Sequence, residues 1–389
     1  MTAVGLVGAH GYAASHLREL DRLADLGKAR LVAVADIVPP EGREAAIVSR
    51  LGAQYIPDWR QMVGNTALDV VVIASPPHLH AEMSLAAVEA GVHVLLEKPP
   101  VVAAGDFERL STAATRAGVL CQVGFQSMGS GACDRLRGVA LGRHKREPVR
   151  LVATGEWQRD RRYWARSEWA GKESLHGVPV RDGALSNPFA HAVMNCLMVG
   201  GAGKGNHVSM VEVERYRAND IEVEDTACTR VRLTSGAEFS VAVTLCAEKV
   251  RPPALFLESS DGSATWSYEG DTIDFSAEGR TWQEHFDRRS LLEELLAAVA
   301  GEAGTALTCP LESTRSFVEF VEAVHSEPVR HVPGEYVRWE KGTGGDRAVI
   351  AGVGEAIGQA RQSGRLFGEL AVPWAIGQSC SRQSPAQDL

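Results

Sequence analysis

The most chemically suggestive stretch of the sequence is Glu97-Lys98-Pro99-Pro100, which follows the apolar run 92–96. Two charged residues at the C-terminal end of a buried strand lie where open α/β sheets bind their ligands. A lysine on a corner that two prolines make rigid is well placed to transfer a proton or to polarise an oxygen. The alternative is a solvated charge pair before a proline turn, so the rest of the chain has to decide between the two.

A second candidate for ligand binding is the loop G-A-H-G-Y-A-A at 8–14, between an apolar run and an amphipathic helix. It approximates the dinucleotide fingerprint G-x-G-x-x-G/A, with His10 at the middle position and Gly11 displaced by one. Free N–H groups at the start of the following helix favour a diphosphate. A plain strand–helix turn is the alternative. The residues expected to bind the cofactor here are Gly8, His10, Gly11, Tyr12 and Ala13.

Asp36 ends the next predicted strand, at 31–35. Its carboxylate can accept hydrogen bonds from a ribose diol and would repel a 2'-phosphate. No lysine or arginine occurs from Ile37 to Gly42. The sequence therefore favours NAD, with NADP still possible, and the alternative role for Asp36 is a helix cap or a turn acid.

These residues all lie in a stretch where strands and helices alternate, which predicts parallel βαβ units. Predicted strands are 3–7, 31–35, 53–56, 69–74, 92–96 and 119–125, and predicted helices are 14–26, 41–51, 58–63, 78–90 and 107–117. We therefore expect a dinucleotide-binding domain at 1–125.

The pattern changes at residue 126. A helix at 131–141 and a polar break at 142–148 lead to alternating stretches at 149–157, 208–217, 226–234, 238–245, 254–258 and 264–268. Alternation with hairpin turns predicts a large, mostly antiparallel sheet in an α/β domain at 126–340. Helices are expected at 282–300, 311–326 and 349–362. The extension 341–389 is expected to be helical, with a disordered tail from residue 377.

Between the first two of these strands lies a long segment, 158–205, that mixes aromatic and charged residues. Long insertions of this kind often carry function. Aromatic faces combined with hydrogen-bonding groups suit a sugar ring, so the candidate substrate residues are Arg159, Tyr163, Trp164 and Asp182. A loop buttressed by aromatic residues at a subunit interface is the competing interpretation.

Composition excludes several classes of function. The net charge of -9 and the lack of a basic cluster argue against nucleic-acid binding. Seven scattered cysteines argue against a disulfide framework and favour the cytoplasm. No apolar run approaches the about 18 residues of a membrane span. His78 and His80 have metal-like spacing, but no further ligand cluster accompanies them, so no metal site is expected.

Several motifs together resemble the glucose-fructose oxidoreductase / inositol dehydrogenase (Gfo/Idh/MocA) family. They are S-P-P-H-L-H at 75–80, A-G-V-H-V at 90–94, E-K-P at 97–99 and V-G-F-Q at 123–126. The resemblance implies a Rossmann domain followed by an α/β domain whose open sheet often forms the interface of a homodimer or homotetramer. It also implies NAD(P)-dependent hydride transfer at a secondary alcohol of a sugar or cyclitol.

The resemblance also implies roles for individual residues. Those implied in cofactor binding are Ser75, Pro76, His80, Glu97, Lys98 and Gln126. The family motif D-x-G-x-H-x-x-D is similar to 187–194, where His191 is kept but Asn187 and Met194 replace the acids. We expect His191 to be the principal general base or acid, Lys98 to donate a hydrogen bond or relay a proton, and Asn187 to bind substrate.

An asparagine cannot raise the basicity of a histidine as a carboxylate would. Either Lys98 takes more of the proton transfer, or Asp182 supplies the carboxylate, or the chemistry is unusual. Two other functions remain open. One is an NAD-using glycosidase or lyase that oxidises its sugar transiently and eliminates a group. The other is a non-catalytic nucleotide-binding sensor.

Overall fold

The chain, seen in a computed structural model, is described here for residues 1–65, 67–143, 149–375 and 381–383. It divides into two compact units, Met1–Gly129 with Arg289–Thr314, and Ser130–Arg288 with Arg315–Leu389. The sequence predicts that 289–314 lie in the second domain, whereas the structure groups them with the first unit. Long-range bonds tie them there, since Gln122 Nε2 donates to Leu291 O (2.6 Å) and Val123 N donates to Cys309 O (2.8 Å).

The first unit is built on a parallel sheet, as predicted. Its strands are β1 (Thr2–Val7), β2 (Ala29–Ala35), β3 (Gln54–Ile56), β4 (Val70–Ile73), β5 (His93–Leu96) and β6 (Cys121–Val123). Their order is β3-β2-β1-β4-β5-β6, and every neighbouring pair is parallel. The strand order reverses between β1 and β4, which is where sheets of this type bind ligands at their carboxyl ends.

Five helices connect these strands. They are α1 (Ala13–Asp25), α2 (Gly42–Arg50), α3 (Trp59–Asn65), α4 (His80–Glu89) and α5 (Ala104–Ala117). In α1, Leu17, Leu20 and Leu23 are completely buried, which is the apolar stripe expected from their spacing. The helices cover both faces of the sheet, so β4 has no polar residue and all four of its side chains are buried.

The second unit contains a large mixed sheet. The strands that follow β6 are β7 (Arg150–Gln158), β8 (Ser174–Leu175), β9 (Val178–Pro179), β10 (Val208–Arg217), β11 (Thr226–Leu233), β12 (Glu238–Thr244), β13 (Cys246–Ser259), β14 (Gly262–Ser267), β15 (Thr272–Ala277), β16 (Arg280–His285), β17 (Val329–His331), β18 (Val337–Gly342), β19 (Gly345–Ile350) and β20 (Ser381–Gln383). The main sheet runs β16-β15-β14-β13-β7-β12-β11-β10-β17, and β20 also pairs with β10. Only the pairs β7–β12 and β10–β17 are parallel in the described sheet, so the predicted, mostly antiparallel architecture is confirmed.

The remaining helices are α6 (Gly131–Arg143), α7 (Arg161–Trp164), α8 (Ala190–Val199), α9 (Leu291–Val299), α10 (Arg315–His325) and α11 (Val353–Ser363). The predicted helix 282–300 is wrong in its first part. Residues Arg280–His285 form the edge strand β16, where Trp282 stacks on Phe275 at 5.1 Å. The helix α9 starts only after Ser290, whose hydroxyl caps it by accepting from Glu293 N (3.1 Å).

The C-terminal extension also differs from its prediction. Residues 345–350 form β19 in a hairpin with β18, so α11 begins at Val353 rather than at residue 349. Within the tail that was predicted to be disordered, Ser381–Gln383 pair antiparallel with Val211–Val213, and the prediction is wrong there. The rest of 377–389, like residues 144–148 of the predicted polar break, lies outside the described residues.

The chain itself covers both faces of its large sheet. A Cβ on Gly155 would lie 2.2 Å from the ring of Phe189, just before α8, so this face packs against α8. The next residue, Glu156, points to the opposite face, where its carboxylate lies against Gly354 of α11. A buried cluster around Tyr216, Phe367 and Trp374 continues the cover on that second face.

Candidate active site

Gly8 allows the loop after β1 to pass close to the end of β4. Its φ is +100°, and a Cβ at this position would lie 2.6 Å from Ala74 O and 3.0 Å from Ala13 Cβ. A side chain would therefore be strained both by the backbone conformation and by its neighbours. Gly11 also has a positive φ, +60°, directly before the first turn of α1. The loop that the sequence singled out is thus a tight crossing from strand to helix.

Asp36 lies immediately after β2 and holds this loop in place. Its Oδ2 accepts from Ala9 N at 2.7 Å and lies 3.2 Å from His10 Nδ1. Its Oδ1 accepts from Val38 N at 3.1 Å. The middle position of the fingerprint, where a glycine was expected, is therefore occupied by a half-exposed histidine that turns towards Asp36 rather than across the loop.

His80, the first residue of α4, ties the end of β4 to the corner after β5. Its Nδ1 lies 2.7 Å from Pro99 O and its Nε2 lies 2.9 Å from Ser75 O. Burial lowers the pKa of this imidazole, although both carbonyl contacts act to raise it. Because backbone carbonyls engage both ring nitrogens, His80 acts by positioning these two segments. The buried hydroxyl of Ser75, in contrast, has no hydrogen-bond partner among the described residues.

Glu97 is buried, with 6% of its surface exposed, and is the centre of a hydrogen-bond network. Its Oε1 lies 2.7 Å from His16 Nε2 and accepts from Gln126 Nε2 at 2.8 Å, and its Oε2 accepts from Lys98 N at 3.1 Å. Burial would raise the pKa of this carboxyl, but the His16 hydrogen bond and the charges of His16 and Lys98 outweigh it and lower the pKa. The solvated charge pair is therefore excluded for Glu97.

His16 belongs to the site, but it is not among the site residues predicted from the sequence. It lies on α1, on the same buried face as Ala13, Leu17 and Leu20. A polar residue inside an apolar helical stripe is the signal that could have revealed it. The Glu97 network also requires a glycine at position 124, since a Cβ there would lie 2.6 Å from Glu97 Oε1.

Lys98 is the only residue of the four-residue corner that is not buried, since Glu97, Pro99 and Pro100 all are. The backbone of the corner is held by the Glu97 carboxylate on one side and by the His80 contact to Pro99 O on the other. Lys98 is half-buried at the carboxyl edge of the parallel sheet. Its ammonium group is thus carried by a backbone that has little freedom to move.

In the second unit, Asp182 is the centre of another network, and it is only 2% exposed. Its Oδ2 accepts from Arg166 Nη2 and from Gly171 N, both at 2.8 Å, and its Oδ1 accepts from Asn187 Nδ2 at 2.6 Å. Burial is the largest influence and raises the pKa of Asp182, although these donors act in the opposite direction. The asparagine that replaces the expected acid is therefore fixed by a carboxylate five residues earlier.

The aromatic candidates of segment 158–205 pack around two arginines. The guanidinium of Arg166 lies 3.9 Å from the centre of the Tyr163 ring, and that of Arg159 lies 4.8 Å from it. Trp164 meets Tyr163 edge-to-face at 4.9 Å. Burial and the nearby Asp182 raise the pKa of Tyr163. The structure thus brings Arg159, Tyr163, Trp164 and Asp182 into one connected cluster.

His191 is the second residue of α8 and is half-buried, whereas Ala190 and residues 192–197 are buried. It is therefore the one polar side chain on the accessible side of this helix. Met194 is completely buried, so a carboxylate at that position would be desolvated.

Across residues 1–65, 67–143, 149–375 and 381–383, no group of three or more His, Cys, Asp or Glu side chains could hold a metal ion. Within the same residues, no helix combines the length and the apolar character that crossing a membrane requires.

Residues 2–125 match the oxidoreductase family Gfo/Idh/MocA, described as having an NAD-binding Rossmann fold. The match ends near Phe125, where the sequence analysis also ended its first domain. Residues 2–125 are therefore similar to the NAD-binding Rossmann domain of this family, and NAD is the cofactor of such a domain.

Curated relatives of the Gfo/Idh/MocA domain are dehydrogenases. Inositol 2-dehydrogenase 1 of Saccharopolyspora erythraea is 38% identical over 109 residues, which are 28% of this chain and 31% of that protein. Levoglucosan dehydrogenase of Pseudarthrobacter phenanthrenivorans is 25% identical over 265 residues, 61% of this chain and 64% of that protein. The chain therefore spans about a third to two thirds of the length of these relatives.

Solved structures share the fold over most of the chain. The WlbA dehydrogenase from Bordetella pertussis, solved with NADH and UDP-GlcNAcA, has a TM-score of 0.67 and 21% identity. The match covers 83% of this chain and 95% of that one. At this identity the likeness concerns the fold alone, and it covers the second unit as well as the first.

The residues at the carboxyl edge of β1, β2 and β4 fit NAD. The close approach at Gly8 leaves backbone N–H groups at the start of α1, where a diphosphate binds. Asp36 lies at the end of β2, where an acid accepts from a ribose diol. The unpartnered hydroxyl of Ser75 supplies a further polar group after β4. These features are those that a dinucleotide requires of a Rossmann sheet.

Proposed function

We propose that this protein is an NAD-dependent dehydrogenase that transfers a hydride between the nicotinamide and a secondary alcohol of a sugar, sugar derivative or cyclitol. The observation that carries the proposal is the corner after β5. There a buried, ionised Glu97 holds the backbone of Lys98 at the ligand-binding edge of an NAD-binding sheet. A lysine whose backbone is fixed in this way is better suited to hydrogen bonding or proton transfer at a site than to a role as a solvated surface charge.

The reaction requires a group that takes the hydroxyl proton as the carbinol carbon loses its hydride. Bound NAD supplies the hydride acceptor. A positioned base with a pKa near neutrality contributes roughly 10²–10⁴-fold to such a step. We assign this role to His191 and the polarisation of the substrate oxygen, or relay of its proton, to Lys98. Lys98 is the better donor of the two because a lysine remains charged unless it is desolvated.

Asn187 would bind substrate, and Asp182 would keep it in position. The amide N–H of Asn187 donates to Asp182, which fixes the orientation of the side chain. This contact supports the second of the three alternatives left open by the sequence, in which Asp182 supplies the missing carboxylate. Asp182 acts on the substrate only through Asn187, so we regard Asp182 as a positioning residue.

Two single variants test these roles. Lys98→Met removes the ammonium group and keeps the length of the side chain, and His191→Ala removes the imidazole. We expect each to lower kcat by at least about 100-fold, while calorimetry shows that NAD still binds. Arg109→Gln, an exposed charge on α5, is the control. Full turnover in both variants would rule out the assignment.

The double variant tests whether both residues act in one step. If they do, Lys98→Met with His191→Ala loses little more activity than either change alone, because groups that act as a unit are not additive. The product distinguishes the proposed reaction from transient oxidation and elimination. A dehydrogenase accumulates NADH, whereas an eliminating enzyme releases a leaving group without net NADH.

We further propose the homodimer or homotetramer and the cytoplasmic location that the sequence suggests. Because α8 and α11 each cover a face of the large sheet, an interface would use the exposed edge strand β16 or the uncovered parts of these faces. Light scattering on the purified chain measures its mass. A monomeric mass at micromolar concentration would contradict the oligomer.

A further inference from the structure

Arg159 occupies an unusual position at the C-terminal end of the segment that begins with β7. Its guanidinium lies between two aromatic rings, 4.8 Å from the centre of Trp157 and 4.8 Å from that of Tyr163. Its backbone N–H is bonded to Leu245 O at 3.0 Å, so the main chain is held by the sheet. Stacking on two rings fixes the plane of a guanidinium and limits its rotation.

The charge of Arg159 is not neutralised by the protein. Over the residues that the structure describes, no carboxylate forms an ion pair with it. Its Nη1 donates to Gln158 O at 3.0 Å, and its side chain also hydrogen-bonds the neutral side chain of Tyr163. Its Nε is buried without a partner. Arg166, on the other face of the same cluster, is different, because it forms an ion pair with Asp182 at 2.8 Å.

Two further buried donors in the same stretch of chain as Arg159 have no partner either. They are the indole Nε1 of Trp164 and the hydroxyl of Ser167. Buried polar groups are normally satisfied, so three such donors within nine residues of chain call for an acceptor. An acceptor that suits a guanidinium and neutral donors together is a carboxylate or a phosphate.

We infer that Arg159 binds an anionic group of the substrate, a carboxylate or a phosphate, and that the preferred substrates are acidic sugars or sugar phosphates. The inference rests on the proposed function, because it names the class of alcohol that the dehydrogenase oxidises. It also changes the role that the sequence suggested for Arg159, from contact with a neutral sugar ring to recognition of a charge.

The position of Arg159 is compatible with this role. Trp157, one of the two rings that hold it, packs against Phe189 at 4.5 Å between ring centres, and Phe189 is two residues before His191. On the other side, the contacts Tyr163–Arg166 and Arg166–Asp182 lead to Asn187. Arg159 therefore belongs to the same connected cluster as Asn187, which the proposed function assigns to substrate binding.

The first test is direct binding, which needs no turnover. Sodium glucuronate, glucose 6-phosphate and glucose are titrated into the full-length protein with NAD, and heat is recorded by calorimetry. We expect at least one charged probe to bind about 10-fold or more tightly than glucose, and the preference to weaken at high salt. The two charged probes distinguish a carboxylate from a phosphate. Equal affinities for all three sugars would overturn the inference.

The second test is Arg159→Gln, with Arg161→Gln as the matched control. Arg161 is exposed and lies over Trp339 at 5.6 Å, so its change removes the same charge two residues further along the chain. Arg159→Gln should abolish the preference for the charged probe, because it lowers the affinity for that probe more than the affinity for glucose. Arg161→Gln should retain the preference. An undiminished preference in a folded Arg159→Gln protein would contradict the inference.

Arg159→Lys keeps the charge but loses the planar fork, and it serves if the glutamine variant does not fold. It should reduce the preference partly. The two proposals fail in different ways. If Arg159→Gln loses the binding of charged probes and the wild-type protein forms no NADH with any sugar, the anion site is supported and the dehydrogenase is rejected. NADH formation from neutral sugars alone, unaffected by Arg159→Gln, retains the dehydrogenase and rejects the anion site.

Discussion

Glu97 in the first unit and Asp182 in the second are both buried carboxylates that accept hydrogen bonds, yet their pKa values move in opposite directions. The pKa of Glu97 is lowered and that of Asp182 is raised. At Glu97 the His16 hydrogen bond and two nearby positive charges outweigh burial. At Asp182 burial outweighs one arginine and two neutral donors. The number of hydrogen bonds therefore does not decide whether a buried acid prefers to be charged.

The difference suits the two proposed tasks. An ionised Glu97 is a strong acceptor that can hold the backbone of a rigid corner. Asp182, whose charged form is disfavoured, is bound to the side chain of Asn187 and to Arg166. The Glu97 network holds the backbone of Lys98 in place, and the Asp182 network holds the side chain of Asn187 in place. Three changes test this contrast.

The largest effect is expected for Glu97→Ala. The change leaves His16 and Gln126 without their buried acceptor, and breaking a buried charged pair on one side costs about 3–5 kcal/mol. Urea unfolding at neutral pH measures the free energy of unfolding. His16→Ala in the same background should cost little more, because the partner has already gone. A loss below about 1 kcal/mol for Glu97→Ala would refute the importance of this network.

A smaller effect separates the two acids through their neutral isosteres. Glu97→Gln removes a favoured charge and should cost about 1.5–3 kcal/mol, the value of hydrogen bonds to charged groups. Asp182→Asn removes a disfavoured charge and should cost about 1 kcal/mol or less. The two variants are compared in the same unfolding experiment. Equal losses would show that the opposite pKa shifts have no energetic meaning.

The smallest effect is the pH dependence of stability, and its sign differs between the two acids. Glu97 has a lowered pKa, so its contribution is present above its ordinary value of 4.5 and is lost as the pH falls below it. Asp182 has a raised pKa, so its contribution is present below its ordinary value of 3.8 and is lost as the pH rises above it. Each slope is at most about 1.4 kcal/mol per pH unit.

The measurement is the difference in free energy of unfolding between wild type and each isostere, followed from neutral to acidic pH. The difference from Glu97→Gln should shrink on acidification, whereas the difference from Asp182→Asn should grow. Parallel curves for the two variants would argue that a general acid effect, rather than these two residues, sets the dependence.

Much of the first unit could be predicted from the sequence because its signals are local. The apolar run of β4, the Gly8 loop and the charged corner after β5 each lie within one strand and its following turn. Parallel strands bring their carboxyl ends to the same edge, so the positions of Asp36, Ser75 and Lys98 follow from the strand order. The helix predicted at 282–300 is wrong in its first part, because the turn at Gly279 leads into the strand β16 and the Ser290 cap starts α9 only afterwards.

The sequence by itself determined the parallel NAD-binding sheet, the mostly antiparallel second sheet and the residues at the strand ends, because periodicity and turn residues act over a few positions. Only the tertiary structure decided which side chains meet. His16 lies 81 residues from Glu97, and Gln122 lies 169 residues from Leu291, and no local pattern encodes such distances. That Arg159 forms no ion pair with a described carboxylate is also visible only in three dimensions, because it depends on the positions of the carboxylates in the folded chain.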